Sequence, residues 1–307
     1  MRKDRFVVGW HGVSMLAPPD WNVVAVSGDT SRGYFRADGQ EACGVEARWV
    51  SQATKPDLQA KLDRYLNDLA RSAKKRRAGF SSKVKDRKPT PTEDRSGGGS
   101  LGFTWKADRS AYGRILWCGE CRRVVIAQVV GPLNRDLSGI SAEILGSICS
   151  HEALGWSVWG MYGFAAVIPD GYRLLRHTLM SSYLQLVFSG REGELTVERW
   201  GLAETLTRDK GLEGWYSYEY RPENSGFALS QRAGETHGHQ ALEVSGKRRL
   251  SATIGQIPRI LRGRGTPNRL LAKVWLCPEG NRIYSVRLLH KRNTTILDEV
   301  VCRLECH

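Results

Sequence analysis

Short apolar runs bounded by glycine, proline and aspartate dominate the chain and predict β-strands. Val13–Ala17 is the first, closed by Pro18-Pro19-Asp20. Gly33–Ala37 and Val45–Trp49 follow, separated by the Asp38-Gly39 turn signal. The period then lengthens to that of a helix. Leu58, Leu62, Tyr65, Leu66 and Leu69 fall on one face, with Thr54 as the cap and Pro56 in the first turn. Phe80–Arg87 is a further strand candidate, and Pro89–Ser100, rich in proline, threonine and glycine, reads as a flexible loop. Strands are expected at Phe103–Ala107, Arg114–Cys118 and Arg123–Val130, and a closing helix at Ile140–Cys149. The pattern then starts again. Strands at Phe164–Pro169, Tyr183–Phe188 and Leu195–Trp200 precede a shorter helix at Glu204–Lys210. Phe227–Arg232, Ala241–Val244, Leu271–Cys277 and Arg282–Leu289 are later strands, and Ile296–Leu304 is the last helix.

The two passes are one segment written twice. Gly9, Gly12, Pro18, Gly39, Glu41, Arg48 and Trp49 match Gly160, Gly163, Pro169, Gly190, Glu192, Arg199 and Trp200 without a gap. The tails agree as well, Ile148-Cys149-Ser150-His151 against Leu304-Glu305-Cys306-His307. Such a period marks a duplicated folding unit, and it divides the chain into a first repeat, 1–152, and a second, 153–307. Each repeat reads as strands, helix, antiparallel strands, helix. The expected fold class is therefore α+β, two repeats of a mostly antiparallel sheet covered by helices. Trp49 and Trp200 are expected at equivalent strand ends in equivalent cores, and Trp117 and Trp275 at near-equivalent ones. An apolar strand followed by Pro-x-x-Trp or Pro-x-x-Tyr, in Val13–Trp21 and Phe164–Tyr172, together with the element order, resembles the PsbP and DcrB group of domains. The resemblance implies a fold and mostly non-catalytic roles, and it carries over no functional residue.

Composition narrows the classes. Hydrophobic content of 41% with ten tryptophans suffices for two cores. No apolar run approaches the ~18 residues a membrane span needs. Met1–Arg5 followed by Phe6–Trp10 has the outline of a signal peptide, but Val8–Leu16 matches the mid-chain Trp159–Val167. Both are expected as the first strand of a repeat, which points to a cytoplasmic protein. Seven cysteines, an odd number without the spacing of a small stapled domain, fit that compartment. Residues 1–152 hold 25 Lys and Arg against 17 Asp and Glu, and the remainder 21 against 15. Basic halves suit an acidic or polyanionic partner.

Three groups carry candidate chemistry. Cys118 and Cys121 lie at a strand turn, and Cys149 and His151 at the end of the same half; together they form a zinc ligand set, with Cys277, Cys302, Cys306 and His307 as the second. Cys302 and Cys306, four apart, are expected on one helix face. Against this stands the role of buried cysteine as a small apolar residue, with thiol redox chemistry a further alternative. His237 and His239, with Glu235 beside them, suit a metal if both point the same way from a strand, or else form a polar hairpin. The third group is basic: Lys74, Lys75, Arg76, Arg77, Lys83 and Lys85, then Arg248, Arg249, Arg259, Arg262 and Arg264. These runs differ between the repeats, so the common fold does not require them, and they suit phosphate or carboxylate contacts as well as a solvated surface. No GxGxxG after a strand, Walker loop, HExxH or GxSxG is present. The expected function is non-enzymatic binding or scaffolding of an acidic protein or assembly; the alternatives are binding of nucleic acid and a zinc- or thiol-dependent activity at the cysteines.

Overall fold

The structure, a computed structural model, describes residues 5–86, 98–150, 155–249, 267–291 and 294–306. The chain divides into two compact units, Met1–Ala165 and Ala166–His307. The first contains β1 (Phe6–Trp10), β2 (Val13–Ala17), β3 (Asn22–Gly28), β4 (Arg32–Asp38), β5 (Gly44–Ser51) and α1 (Leu58–Lys75), then β6 (Ser81–Asp86), β7 (Gly99–Lys106), β8 (Ser110–Cys118), β9 (Arg123–Gly131), α2 (Ser138–Gly146) and β10 (Trp156–Met161). After β11 (Phe164–Pro169), the second contains β12 (Arg173–Leu179), β13 (Tyr183–Ser189), β14 (Gly193–Gly201), α3 (Ala203–Thr207), α4 (Gly211–Glu219) and α5 (Arg221–Asn224). It continues with β15 (Phe227–Thr236), β16 (His239–Arg248), β17 (Arg269–Cys277), β18 (Arg282–His290) and α6 (Ile296–Cys302). Each unit holds a seven-stranded sheet in the same order, β3-β4-β5-β9-β8-β7-β6 and β12-β13-β14-β18-β17-β16-β15. A four-stranded sheet runs β11-β10-β1-β2.

The α+β expectation is corrected. The structure is mostly β, with 52% strand and 19% helix in three antiparallel sheets. Much of the missing strand is edge strand. β3 and β12 close one side of each large sheet and expose most of their residues, so neither alternates apolar and polar positions, although β3 does carry the apolar run Val23–Val26. The opening "strand" at 8–16 is a hairpin: Trp10 pairs with Val13 across His11 and Gly12, both at positive φ. Only Gly takes such a turn at no steric cost, and a two-residue loop of this hand suits the strand twist. The second helix region is three short helices rather than a run at 204–210.

One helix is long. Asp57, rather than Thr54, caps α1, its carboxylate accepting from Ala60 N at 3.0 Å. Leu62 and Leu66 are buried against Phe103, Trp105, Ile115 and Trp117. In the second unit Trp215, Tyr216 and Tyr220 fill the same role against Leu242, Val244, Leu270, Val274 and Ile283.

The matched tryptophans do not occupy matched cores. Trp49 pairs with Gly33, whereas Trp200 pairs with Tyr183, one residue short of Leu184, the sequence counterpart of Gly33. The loop from Asp38 to Gly44 is one residue longer than that from Ser189 to Glu194. A one-residue slip turns every side chain of a strand to the other face. Trp49 therefore lies on the face away from α1, beside His11 and Phe35, while Trp200 packs against Trp215 of α4. Trp117 and Trp275 are likewise on opposite faces, the first under α1 and the second stacked on Tyr284.

Candidate metal centre and basic surfaces

In the second unit three buried ligand-type residues converge. Cys277 ends β17, and the register that pairs Ala241 with Trp275 brings His239, two residues back, opposite it. α6 closes with Leu304 N bonded to Val301 O, which directs the chain back over the sheet. There the Tyr284 hydroxyl donates to the Cys306 carbonyl at 2.9 Å. Ligand atoms of His239, Cys277 and Cys306 lie within 4.8 Å of one another, and all three residues are buried. Glu279, in the loop between β17 and β18, sets its carboxylate 3.8 Å from His239 Nδ1 and 3.6 Å from Cys277 Sγ. Its side chain is 60% exposed, so the carboxylate forms the solvent side of the cluster. Burial pushes the Cys277 thiol up, with the Glu279 carboxylate adding to it. Burial and the neighbouring Cys277 hold the Cys306 thiol at about 11. Both sulfurs are thus protonated at neutral pH unless a cation is present to favour the thiolates.

This set differs from the expected one. Cys302 is exposed and ends α6, so it shares no helix face with Cys306, which lies beyond the helix. His307 lies outside the described residues. His237 and His239 do not project together from a strand: His237 occupies the β15–β16 turn at φ 54°, and its Nε2 bonds to Val301 O at 2.8 Å. Glu279 went unrecognised, although Glu120 and Glu279 follow Cys118 and Cys277 at the same distance in the two halves.

The first unit does not repeat the cluster. Gly98 stands opposite Cys118 where His239 stands opposite Cys277. Cys121 Sγ meets Ser150 Oγ at 3.4 Å, and the neighbouring Cys118 thiol, with burial, raises its pKa. The backbone of Cys149 pairs with Ser14 in both directions at 2.9 Å. Among the described residues Cys118, Cys121 and Cys149 do not gather as three ligands, and His151 lies outside those residues.

The basic runs lie at the ends of α1 and β16 and along β6. Lys74, Lys75, Arg76 and Arg77 close α1 and are exposed. Arg76 is held by Asp108, Nε at 3.2 Å and Nη2 at 3.0 Å. Lys83 and Lys85 are exposed on the outer strand β6, and Lys106 at the end of β7 joins them. Lys74, Lys75, Lys83 and Lys85 meet no carboxylate among the described residues. In the second unit Lys247 and Arg248 end β16, with Arg249 beyond. Arg248 is half-buried, lying 5.2 Å over the Phe227 ring and donating to Pro267 O at 2.9 Å. Lys247 and Arg269 line a groove of about 650 Å³. Arg259, Arg262 and Arg264 lie outside the described residues.

The second unit also buries an acid. Glu198, 2% exposed, accepts from Tyr183 Oη at 2.7 Å, Gln185 Nε2 at 2.9 Å and Tyr220 Oη at 2.6 Å. The Arg287 guanidinium lies 4.2 Å over the Tyr220 ring. Burial, then Glu198, raises the Tyr183 and Tyr220 hydroxyls. This network fastens the α4–α5 junction to the sheet. Among the described residues no helix is long and apolar enough to cross a membrane. No protein family matches the chain, and no curated protein does.

Proposed function

We propose that the protein is a non-enzymatic binding protein that engages an acidic protein surface through the basic ends of its two large sheets. The supporting observation is recurrence at one place. Exposed cations stand at the end of β7, Lys106, close to those that end α1 in the first unit, and at the corresponding end of β16, Lys247 with Arg249 beyond it, in the second. The residues themselves differ between the units, so the shared architecture does not demand them. Exposed cations of this kind steer an acidic partner and set its orientation more than they add raw affinity. A protein partner is favoured over single-stranded nucleic acid because base-stacking rings are missing from these runs. Among the described residues the exposed aromatic rings are Phe6 and Tyr218, on β1 and α4.

The test is binding of a fluorescent polyglutamate peptide, read by anisotropy at low and at physiological ionic strength. The expected result is binding that weakens with salt. The variant Lys74→Ala/Lys75→Ala/Lys83→Ala/Lys85→Ala should weaken it about tenfold, from a few tenths of a kcal/mol per exposed pair. Absence of binding at low salt, or unchanged binding by the folded variant, contradicts the reading. Tighter binding of a single-stranded oligonucleotide under the same conditions transfers it to nucleic acid.

A further inference from the structure

We propose that His239, Cys277, Cys306 and Glu279 form a binding site for a soft divalent cation, zinc first among them, in the second unit. Four ligand groups come from three separate places: the start of β16, the β17–β18 corner, and the chain beyond α6. A tetrahedral zinc with bonds of about 2.3 Å to sulfur and 2.0 Å to nitrogen or oxygen keeps its ligand atoms about 3.3–3.8 Å apart. Glu279, outside the cluster of three buried residues, stands at such a separation from Cys277 Sγ, 3.6 Å. From His239 Nδ1, at 3.8 Å, it stands about half an ångström beyond the nitrogen–oxygen end of that range. The three buried ligand atoms, within 4.8 Å of one another, need to close by about an ångström at most.

The donor set selects the ion. Two sulfurs and an imidazole disfavour magnesium and calcium, which take oxygen ligands, and suit zinc. On binding, each cysteine loses its thiol proton to solvent and gives a thiolate bond to the metal, while His239 binds neutral. Two thiolates and the Glu279 carboxylate against a dication leave the centre with one net negative charge. The half-exposed carboxylate is the ligand most open to exchange. The ion would bind the chain after α6 and the β15–β16 hairpin to the same sheet corner.

The duplicated architecture supplies an internal comparison. At the corresponding corner of the first unit, Cys118 remains, but Gly98 takes the histidine's place and the tail offers Ser150 beside Cys121. A core that needed only small apolar residues there would not require a histidine in one copy. The three-ligand cluster occurs in the second unit alone among the described residues.

The experiment is titration of the full, reduced chain with zinc and, for spectroscopy, with cobalt(II). One equivalent is expected, with the visible bands of a tetrahedral thiolate-ligated cobalt ion. Cys306→Ser and His239→Ala should each weaken binding at least 100-fold, beyond the roughly 10–100-fold of outer ligand-supporting residues. Glu279→Gln, at an exposed side chain that leaves the core untouched, should weaken it about tenfold and change the cobalt spectrum. Cys302→Ser should leave both unchanged. Absence of thiolate bands in folded protein overturns the proposal. So does a signal that survives Cys306→Ser, which would move the metal to other cysteines, or one indifferent to Glu279→Gln.

Discussion

Gly39 and Gly190, identical in the two halves, show at residue scale why the repeat is legible at all. A Cβ on Gly39 would stand 2.0 Å from Trp21 Nε1, and one on Gly190 2.8 Å from three atoms of Tyr172. Each aromatic ring is aimed by the turn before it, Trp21 N bonding to Pro18 O at 3.0 Å and Tyr172 N to Pro169 O at 2.9 Å. The Pro-x-x-aromatic opening and the distant glycine are thus two ends of one contact. Gly39→Ala and Gly190→Ala should each destabilise the fold by about 1–3 kcal/mol, because the ring must leave its seat. Gly79→Ala, with open space around its Cβ, should change stability by less than about 1 kcal/mol. Urea unfolding of the three variants checks this; equal midpoints would refute the ring-on-glycine account. The candidate site was legible here only in part. Cys277 and Cys306 stood out as sulfur ligands, whereas pairing them with His239 required the β16–β17 register, which residue spacing does not carry.

Elements were legible in proportion to their burial. α1 presents Leu62 and Leu66 to a core and stood out by its period, although its cap is three residues later than Thr54. The central strands β8, β9, β17 and β18 are buried over most of their length and read as apolar runs. Edge strands β3 and β12 are held by backbone pairing and do not alternate, and the apolar run Val23–Val26 of β3 went unrecognised. α4 and α5 were missed for another reason: they are short, α4 seating Leu212, Trp215 and Tyr216 in the core within nine residues, too few turns to show a helical period, and a polar contact adds to that packing. Tyr220 at their junction reaches Glu198 on β14, which also holds Tyr183 and Gln185. Glu198→Ala takes the acceptor from one buried donor, Tyr220, and two half-buried ones, Tyr183 and Gln185, and should cost about 2 kcal/mol. Glu235→Ala, at an exposed residue of β15, should fall within about 0.5 kcal/mol of wild type. Chemical denaturation followed by tryptophan fluorescence measures both. A Glu198→Ala protein as stable as Glu235→Ala would show that the network does not fasten these helices.

At the scale of the whole chain, the duplication predicts two sheets with one strand order, and the structure has them. Side-chain direction within the copies was beyond the sequence diagonal. A single residue of loop length between β4 and β5, relative to β13 and β14, turns Trp49 and Trp200 to opposite faces. The copies have accordingly diverged in what they bury while keeping topology. The most direct measurement of the proposed binding to an acidic partner is hydrogen–deuterium exchange of the full chain with and without saturating polyglutamate peptide. Protection should rise at the end of α1, along β6 and at the end of β16, and stay unchanged along β12 and β13. Protection confined to other strands, or none at saturation, would contradict the assignment of binding to the basic ends.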